Sequence, residues 1–290
     1  MSETIYIGAD IEFMAKDRFR GGYIYPILPI ENENIHIRHL GCDEFGHCLE
    51  LRPAQETNSL DFVTNIMKEV HKIPGNVECF SENAHILPVS DFIKLMRKQG
   101  SKSVPQCNNV YGKDVLEDCE LDLEVRKKKN RLLFCGTHIH VSMTKTVRYE
   151  VEENGKKVVK TKEEPIPLPA KTLVHLFDKC IYSCFLDDTH FNAGRYRSPG
   201  FYEFKPHGGF EYRSLGSSVF TPIRMRLIFE SVKYIVENLD YLVSMYFNLS
   251  NSVFMKNIPV KLRNMMECMK NSKQYDGDLL DIWSPWRIPM

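Results

Sequence analysis

No GxxxxGK[ST] loop, no GxGxxG turn after a strand and no GxSxG elbow occurs in this chain of 290 residues. The first two absences exclude the glycine-rich loops that cradle nucleotide phosphates. The third excludes the nucleophile turn of an α/β-hydrolase. There is no CxxC pair either, which argues against a zinc ribbon and a thioredoxin-like motif. Charge of one sign is also missing: 38 basic residues balance 38 acidic ones, so no global field draws the chain to nucleic acid or to a membrane surface. No apolar run approaches the roughly 20 residues that cross a bilayer. The opening MSETIYIGADIEF has neither a basic nor a long apolar region, so no secretory signal is expected.

What is present is the composition of a globular protein, 43% hydrophobic, 11% aromatic and 26% charged. That length and composition suffice for a full core, and one domain spanning 1–290 is expected. Nine cysteines, an odd number, read as reduced thiols in a cytoplasmic protein. Cys180 and Cys184 lie four apart in a helical pattern, where buried thiols behave as small hydrophobes.

Ile5–Ala15 is rich in β-branched and aromatic residues and predicts a strand. Further strands are expected at Gly22–Leu28, Ile35–Leu40 and His47–Arg52, with turn residues at Gly41–Gly46 and a stop at Pro53. The short links suggest a meander. Leu60, Phe62, Val63, Ile66, Met67 and Val70 have helical spacing, with Asn58 or Ser59 as the cap. Asp91–Lys98 suggests another short helix. Residues 100–130 look irregular and end in the basic run Arg126–Arg131, which reads as phosphate contact or as a solvated loop.

Leu132–Met143 predicts a strong strand, and Val147–Lys162 an exposed hairpin with the look of an insertion, turning at Asn154-Gly155. A helix from Pro169 to Leu186, a glycine- and arginine-rich loop over 194–209 and a strand at 210–216 follow. Thr221-Pro222 starts a helix that runs to about Phe247, and 251–290 forms a tail with one more helix. The expected class is α+β, an antiparallel sheet with helices packed on its outer face.

Four strand segments carry two polar or charged residues at i and i+2: Asp10/Glu12, Glu50/Arg52, His138/His140 and Glu211/Arg213. Side chains two apart on a strand share a face. The residues between them, Ile11, Leu51, Ile139 and Tyr212, then point to the core. His-x-His alone also fits two half-exposed strand residues, and one such pair is ordinary. Four in one sheet gather four carboxylates, two imidazoles and two guanidiniums on one face, which calls for metal and an anionic ligand. Carboxylates suit Mg²⁺, imidazoles favour Mn²⁺, and arginines bind phosphate bidentately. Glycines at 8, 136 and 208–209 allow close backbone approach.

The order G-A-D-I-E-F, then D-x-x-G followed by E-L-R-P, then G-T-H-I-H-V, then H-G-x-x-E-Y-R resembles the phage-type COOH–NH₂ ligase (amidoligase) group. That group belongs to the glutamine synthetase and γ-glutamylcysteine ligase superfamily. The resemblance covers roughly residues 5–216. It implies an antiparallel sheet whose concave face binds ATP and two or three Mg²⁺ ions. It implies Asp10, Glu12, Glu50, His138 and Glu211 as metal ligands, with His140 next. It further implies Arg52 and Arg213 at the phosphates, and a small-molecule or peptide carboxylate activated by ATP as an acyl phosphate and captured by an amine. Arg195, Arg197 and Lys205 suit a clamp on a carboxylate substrate, or plain surface charge. Glu203 departs from the pattern, standing near a position where relatives carry a basic residue. Two other readings stay open: a metal-dependent hydrolase using the histidines, and a non-catalytic nucleic-acid binder using Arg126–Arg131, against which the neutral charge counts.

Overall fold

The structure, a computed structural model, describes residues 2–24, 41–42, 48–80, 84–88, 109–110, 130–154, 156–186, 199–205, 208–272 and 282. The expected strand at 35–40, most of that at 22–28, the helix at 91–98, the basic run up to residue 129, and Arg195 and Arg197 lie outside them.

The chain folds as α+β. Strands β1 (Glu3–Asp17), β2 (Tyr23–Ile24), β3 (Gly41–Cys42) and β4 (Leu49–Leu51) precede helix α1 (Ser59–Val70). Then come β5 (Val77–Phe80), β6 (Ala84–Pro88), β7 (Asn109–Val110), β8 (Asn130–Phe134), β9 (Gly136–Glu153) and β10 (Lys156–Pro165). Helix α2 (Ala170–Cys180), β11 (Phe201–Phe204) and β12 (Phe210–Gly216) follow. Four helices close the series: α3 (Pro222–Glu237), α4 (Leu239–Asn248), α5 (Asn251–Asn257) and α6 (Val260–Asn271). The main sheet is open and antiparallel, ordered β3-β4-β1-β9-β12-β11-β7, with β2 and β5 branching from β1 and β10 from β9.

The order corrects the expected meander. β4 hydrogen-bonds directly to β1, with Glu12 opposite Glu50, while β2 meets β1 only at Ala15 and Lys16. A strand of 15 residues offers more ladder groups than any one short partner fills. β1 therefore takes β9 along Glu3–Ile11 and β4 and β5 beyond it. The expected strand at 132–143 is two strands, broken at Cys135: β8 pairs with β6 in a small separate sheet, and β9 starts the site strand. β9 then runs without interruption into the expected hairpin, whose Asn154 adopts the left-handed backbone (φ 53°) that a type I′ turn demands.

Alternation along β1 sets the two sheet faces. Ile7, Ala9, Ile11 and Phe13 are at most 1% exposed and join Leu49, Leu51, Ile139, Val141, Phe210 and Tyr212 under the helices. Burial of such side chains contributes about 1.5–3 kcal/mol each. Phe62 of α1 packs on Phe229 of α3 with ring centroids 5.1 Å apart. Asn58 caps α1 by accepting from the Asp61 N–H, and Thr221 caps α3 by accepting from the Arg224 N–H. Two expected helices are shorter than their periodicity. The one starting near Pro169 ends at Cys180 before a single 3₁₀ turn, Tyr182–Cys184. The one starting at Pro222 breaks at Asn238, whose side-chain amide donates to the Tyr234 carbonyl and so competes with the helix ladder.

Candidate metal centre

The face away from the helices carries the polar residues. Register places Asp10 opposite His138, Glu12 opposite Glu50, and His140 opposite both Gly8 and Glu211. Residues directly opposite in an antiparallel pair share a face, so all four sequence pairs converge on one surface. Glu12, Glu50, His138 and Glu211 are between 2% and 6% exposed, while Ile11, Leu51, Ile139 and Tyr212 fill the core beneath them. Ionisable groups are seldom buried this deeply unless they are paired or bind a cation.

His138 sits between two carboxylates: its Nδ1 is 2.7 Å from Glu211 Oε1 and its Nε2 is 3.8 Å from Glu12 Oε1. Glu12 also accepts from the backbone N–H of Gly136 at 2.9 Å. His140 Nε2 approaches Asp10 Oδ2 to 2.9 Å, yet this buried nitrogen has no aligned hydrogen bond. Asp10, His140 and Glu211 each offer one donor atom, and the three atoms lie within 4.8 Å of one another. A mixed oxygen and nitrogen donor set of this kind fits a hard or borderline divalent ion such as Mg²⁺ or Mn²⁺.

Cations border the cluster on both sides. Arg52 bonds Glu50 at one edge, with its own side chain 56% exposed. At the other edge Arg213 Nη1 donates to Glu203 Oε2 at 2.7 Å and its Nε lies 3.7 Å from Glu211. Lys205 bonds Glu211 and reaches Glu203 at 3.4 Å. A bulge between Tyr212 and Leu215 interrupts the β12–β9 register beside Arg213; bulges next to sites re-aim side chains in this way. Beneath it, the Tyr212 hydroxyl donates to buried Asp178 of α2 at 2.6 Å and ties the strand to the helix layer.

The charges tune one another. Burial pushes the Glu50 carboxyl up to about 8, Asp10 and Glu12 reinforce the shift, and Arg52 only partly opposes it. Burial also works against ionisation of Glu211, but His138, Arg213 and His140 outweigh it and hold that carboxyl well below the usual range. Asp10 follows the same pattern, with burial overcome by His140 and His138. Burial disfavours the Lys205 ammonium, yet Glu211 and Glu203 raise its pKa above the ordinary lysine value. One carboxyl held protonated beside carboxylates held ionised marks a surplus of negative charge that a bound cation would offset.

Glu203 and Gln55 also belong to this surface, and neither is among the site residues expected from sequence. Glu203 and Lys205 repeat the i, i+2 spacing with Phe204 between them, and β11 sets Glu203 opposite Glu211. The signal was present, but it lay in a stretch expected to be loop. Gln55 covers Gly8: a Cβ built there would stand 2.7 Å from Gln55 Cγ. The same segment is fixed to β1 by two backbone bonds of 2.9 Å between Ile7 and Glu56. Gly8→Ala is therefore expected to destabilise the fold by about 1–3 kcal/mol in urea titration. An unchanged midpoint would show that Gln55 moves aside freely.

A cavity elsewhere, lined by Glu3, Ile5, Met143, Lys233 and Tyr241, lies on the helix side of the sheet and holds none of these groups. Among the described residues, no helix is long and apolar enough to cross a membrane. Comparison of the chain with family models, with curated proteins and with solved structures finds no match.

Proposed function

We propose that this protein is an ATP-dependent carboxylate–amine ligase that works with Mg²⁺ or Mn²⁺. The observation that carries the proposal is the convergence of Asp10, His140 and Glu211 within 4.8 Å, on a face that also bears Glu12, Glu50, Arg52, Lys205 and Arg213. Asp10, Glu211 and His140 would hold the ion, with Glu12, Glu50 and His138 beside them. When bound, the metal supplies positive charge against the phosphoryl group being transferred.

The chain's own groups supply the rest. Arg213 and the more exposed Arg52 bind phosphate oxygens through paired N–H donors. A substrate carboxylate oxygen attacks the γ-phosphorus of ATP, the bond to ADP breaks, and an acyl phosphate forms. An amine then adds to the acyl carbon, loses a proton, and expels phosphate to leave an amide. Lys205, at the Glu203–Glu211 edge, would meet the substrate carboxylate. The free cysteines at 48, 79, 135, 180, 184 and 268 accord with a reducing, cytoplasmic setting.

The compactness of the triad favours one rival, a metal-dependent hydrolase, since three ligands and a water suffice for that chemistry. It leaves the cationic rim without a task. Incubation with ATP, Mg²⁺ and a mixture of acids and amines, read by mass spectrometry, separates the two. Release of ADP with an amide product supports the ligase, whereas metal-dependent cleavage without ATP overturns it. His140→Ala and His138→Ala are each expected to weaken Mn²⁺ binding about 10–100-fold in calorimetry, the first by losing a ligand and the second by freeing Glu211. An unchanged affinity removes the residue concerned from the centre.

A further inference from the structure

The β9–β10 hairpin projects past the rest of the sheet. β1 accompanies β9 only as far as the Glu3–Lys145 pair and a last bond from the Thr146 N–H to the Ser2 carbonyl. From Val147 to Glu153, β10 covers one edge of β9. Among the described residues, no strand covers the other. Tyr149, Val158 and Val159 are 38%, 36% and 61% exposed along this arm. A two-stranded ribbon with an open edge is only marginally stable in water and serves as a template for another strand.

We propose that this open edge pairs with the same edge of a second copy of the chain, antiparallel about a two-fold axis at Tyr149. The residue order supports that register over its neighbours. Centred on Tyr149, each chain sets Val147 against Val151, Arg148 against Glu150, and Tyr149 against its own copy. Every pair is favourable: β-branched on β-branched, opposite charges, aromatic on aromatic. Centring one residue later sets Glu150 against itself, and like charges directly opposite are destabilising.

The hydrogen-bonding phase agrees independently. The Thr146 N–H points to the β1 edge, so by strand alternation those of Arg148 and Glu150 do too. The Tyr149-centred register joins Arg148 to Glu150 as the hydrogen-bonded pair and leaves Tyr149 at a non-hydrogen-bonded position, where side chains approach most closely. Arg148 has no ion-pair partner among the described residues. Among the described residues Glu150 meets only Lys157, at 3.3 Å with both side chains well exposed, a contact of small energy that Arg148 of a second copy can share. The same patch is used by both chains, as a closed two-fold dimer requires.

Sedimentation equilibrium of the full chain tests the pairing. The parent is expected to dimerise reversibly, with a dissociation constant in the roughly micromolar range for so small an interface. Arg148→Glu sets like charges together at both symmetric pairs and should raise that constant about tenfold or more. The double variant Arg148→Glu/Glu150→Arg reverses both pairs and should restore it. Tyr149→Cys should form a covalent dimer on mild oxidation while Val159→Cys, on β10 and away from the paired edge of β9, does not. A parent monomeric up to about 100 µM, a dimer indifferent to Arg148→Glu, or a double variant no better than the single one would each overturn the proposal.

Discussion

Glu211→Gln is expected to lower metal-dependent turnover about a thousandfold while the fold persists. The residue is 2% exposed, and its carboxylate touches His138 and Lys205, with Arg213 at 3.7 Å. It is also one of three donors converging within 4.8 Å. Glutamine keeps its shape but removes the charge that the flanking cations and the proposed ion require. Preorganised electrostatic groups of this kind are worth about 10²–10³ in rate when lost singly, and on the proposed function a metal ligand goes with them. Arg213 and Lys205 retain Glu203 as a partner, at 2.7 Å and 3.4 Å, so the sheet edge stays neutralised. ADP release and Mn²⁺ calorimetry on the same preparation are the measurements, with far-UV circular dichroism as the control. Turnover within threefold of the parent, a negligible change beside the expected one, would show that Glu211 does not hold the catalytic ion.

Glu50→Gln should separate stability from function. In the metal-free protein Glu50 titrates near 8, raised by burial and by Asp10 and Glu12. Between the ordinary glutamate value and about 8, the native state holds a proton at this site that the unfolded state has released. Stability from this group is therefore full at acid pH and falls as pH rises through that window, by about 1.4 kcal/mol per pH unit. Glutamine resembles the protonated form and has no proton to lose. Urea titrations from pH 6 to pH 9 should show the parent weakening and the variant holding level, so that the variant is the more stable at pH 9. The same substitution should abolish ATP turnover and the stabilisation that Mn²⁺ gives the parent. Parallel pH profiles for the two proteins would refute the assignment of the raised carboxyl. Glu211 acts in the opposite sense and in a different range: its depressed pKa contributes stability at neutral pH that is lost as the solution turns acid.

Much of the site was legible because a strand repeats every two residues. Asp10/Glu12, Glu50/Arg52, His138/His140 and Glu211/Arg213 announce a shared face from spacing alone, and Ile11, Leu51, Ile139 and Tyr212 announce the core. The fifth pair, Glu203/Lys205, obeys the same rule but was hidden by the glycines and prolines around it. Phe204 between them is 58% exposed, so it lacks the apolar burial that marks the other strands.

Sequence by itself determined the α+β class, the helix cap on Thr221, a choice between Asn58 and Ser59 for the other cap, and the side of its strand on which each acidic or basic residue stands. These are local properties, set by backbone geometry over two to four residues. Only the tertiary structure decided which strands are neighbours and in what register. β4 lies against β1 rather than at the end of a meander, so Glu12 faces Glu50 and one of the crowded carboxylates keeps its proton. β9 lies between β1 and β12, so His138 bridges Glu12 and Glu211 while His140 joins Asp10. Pairing between segments this far apart in the chain depends on packing of the whole core, and no short stretch of sequence encodes it.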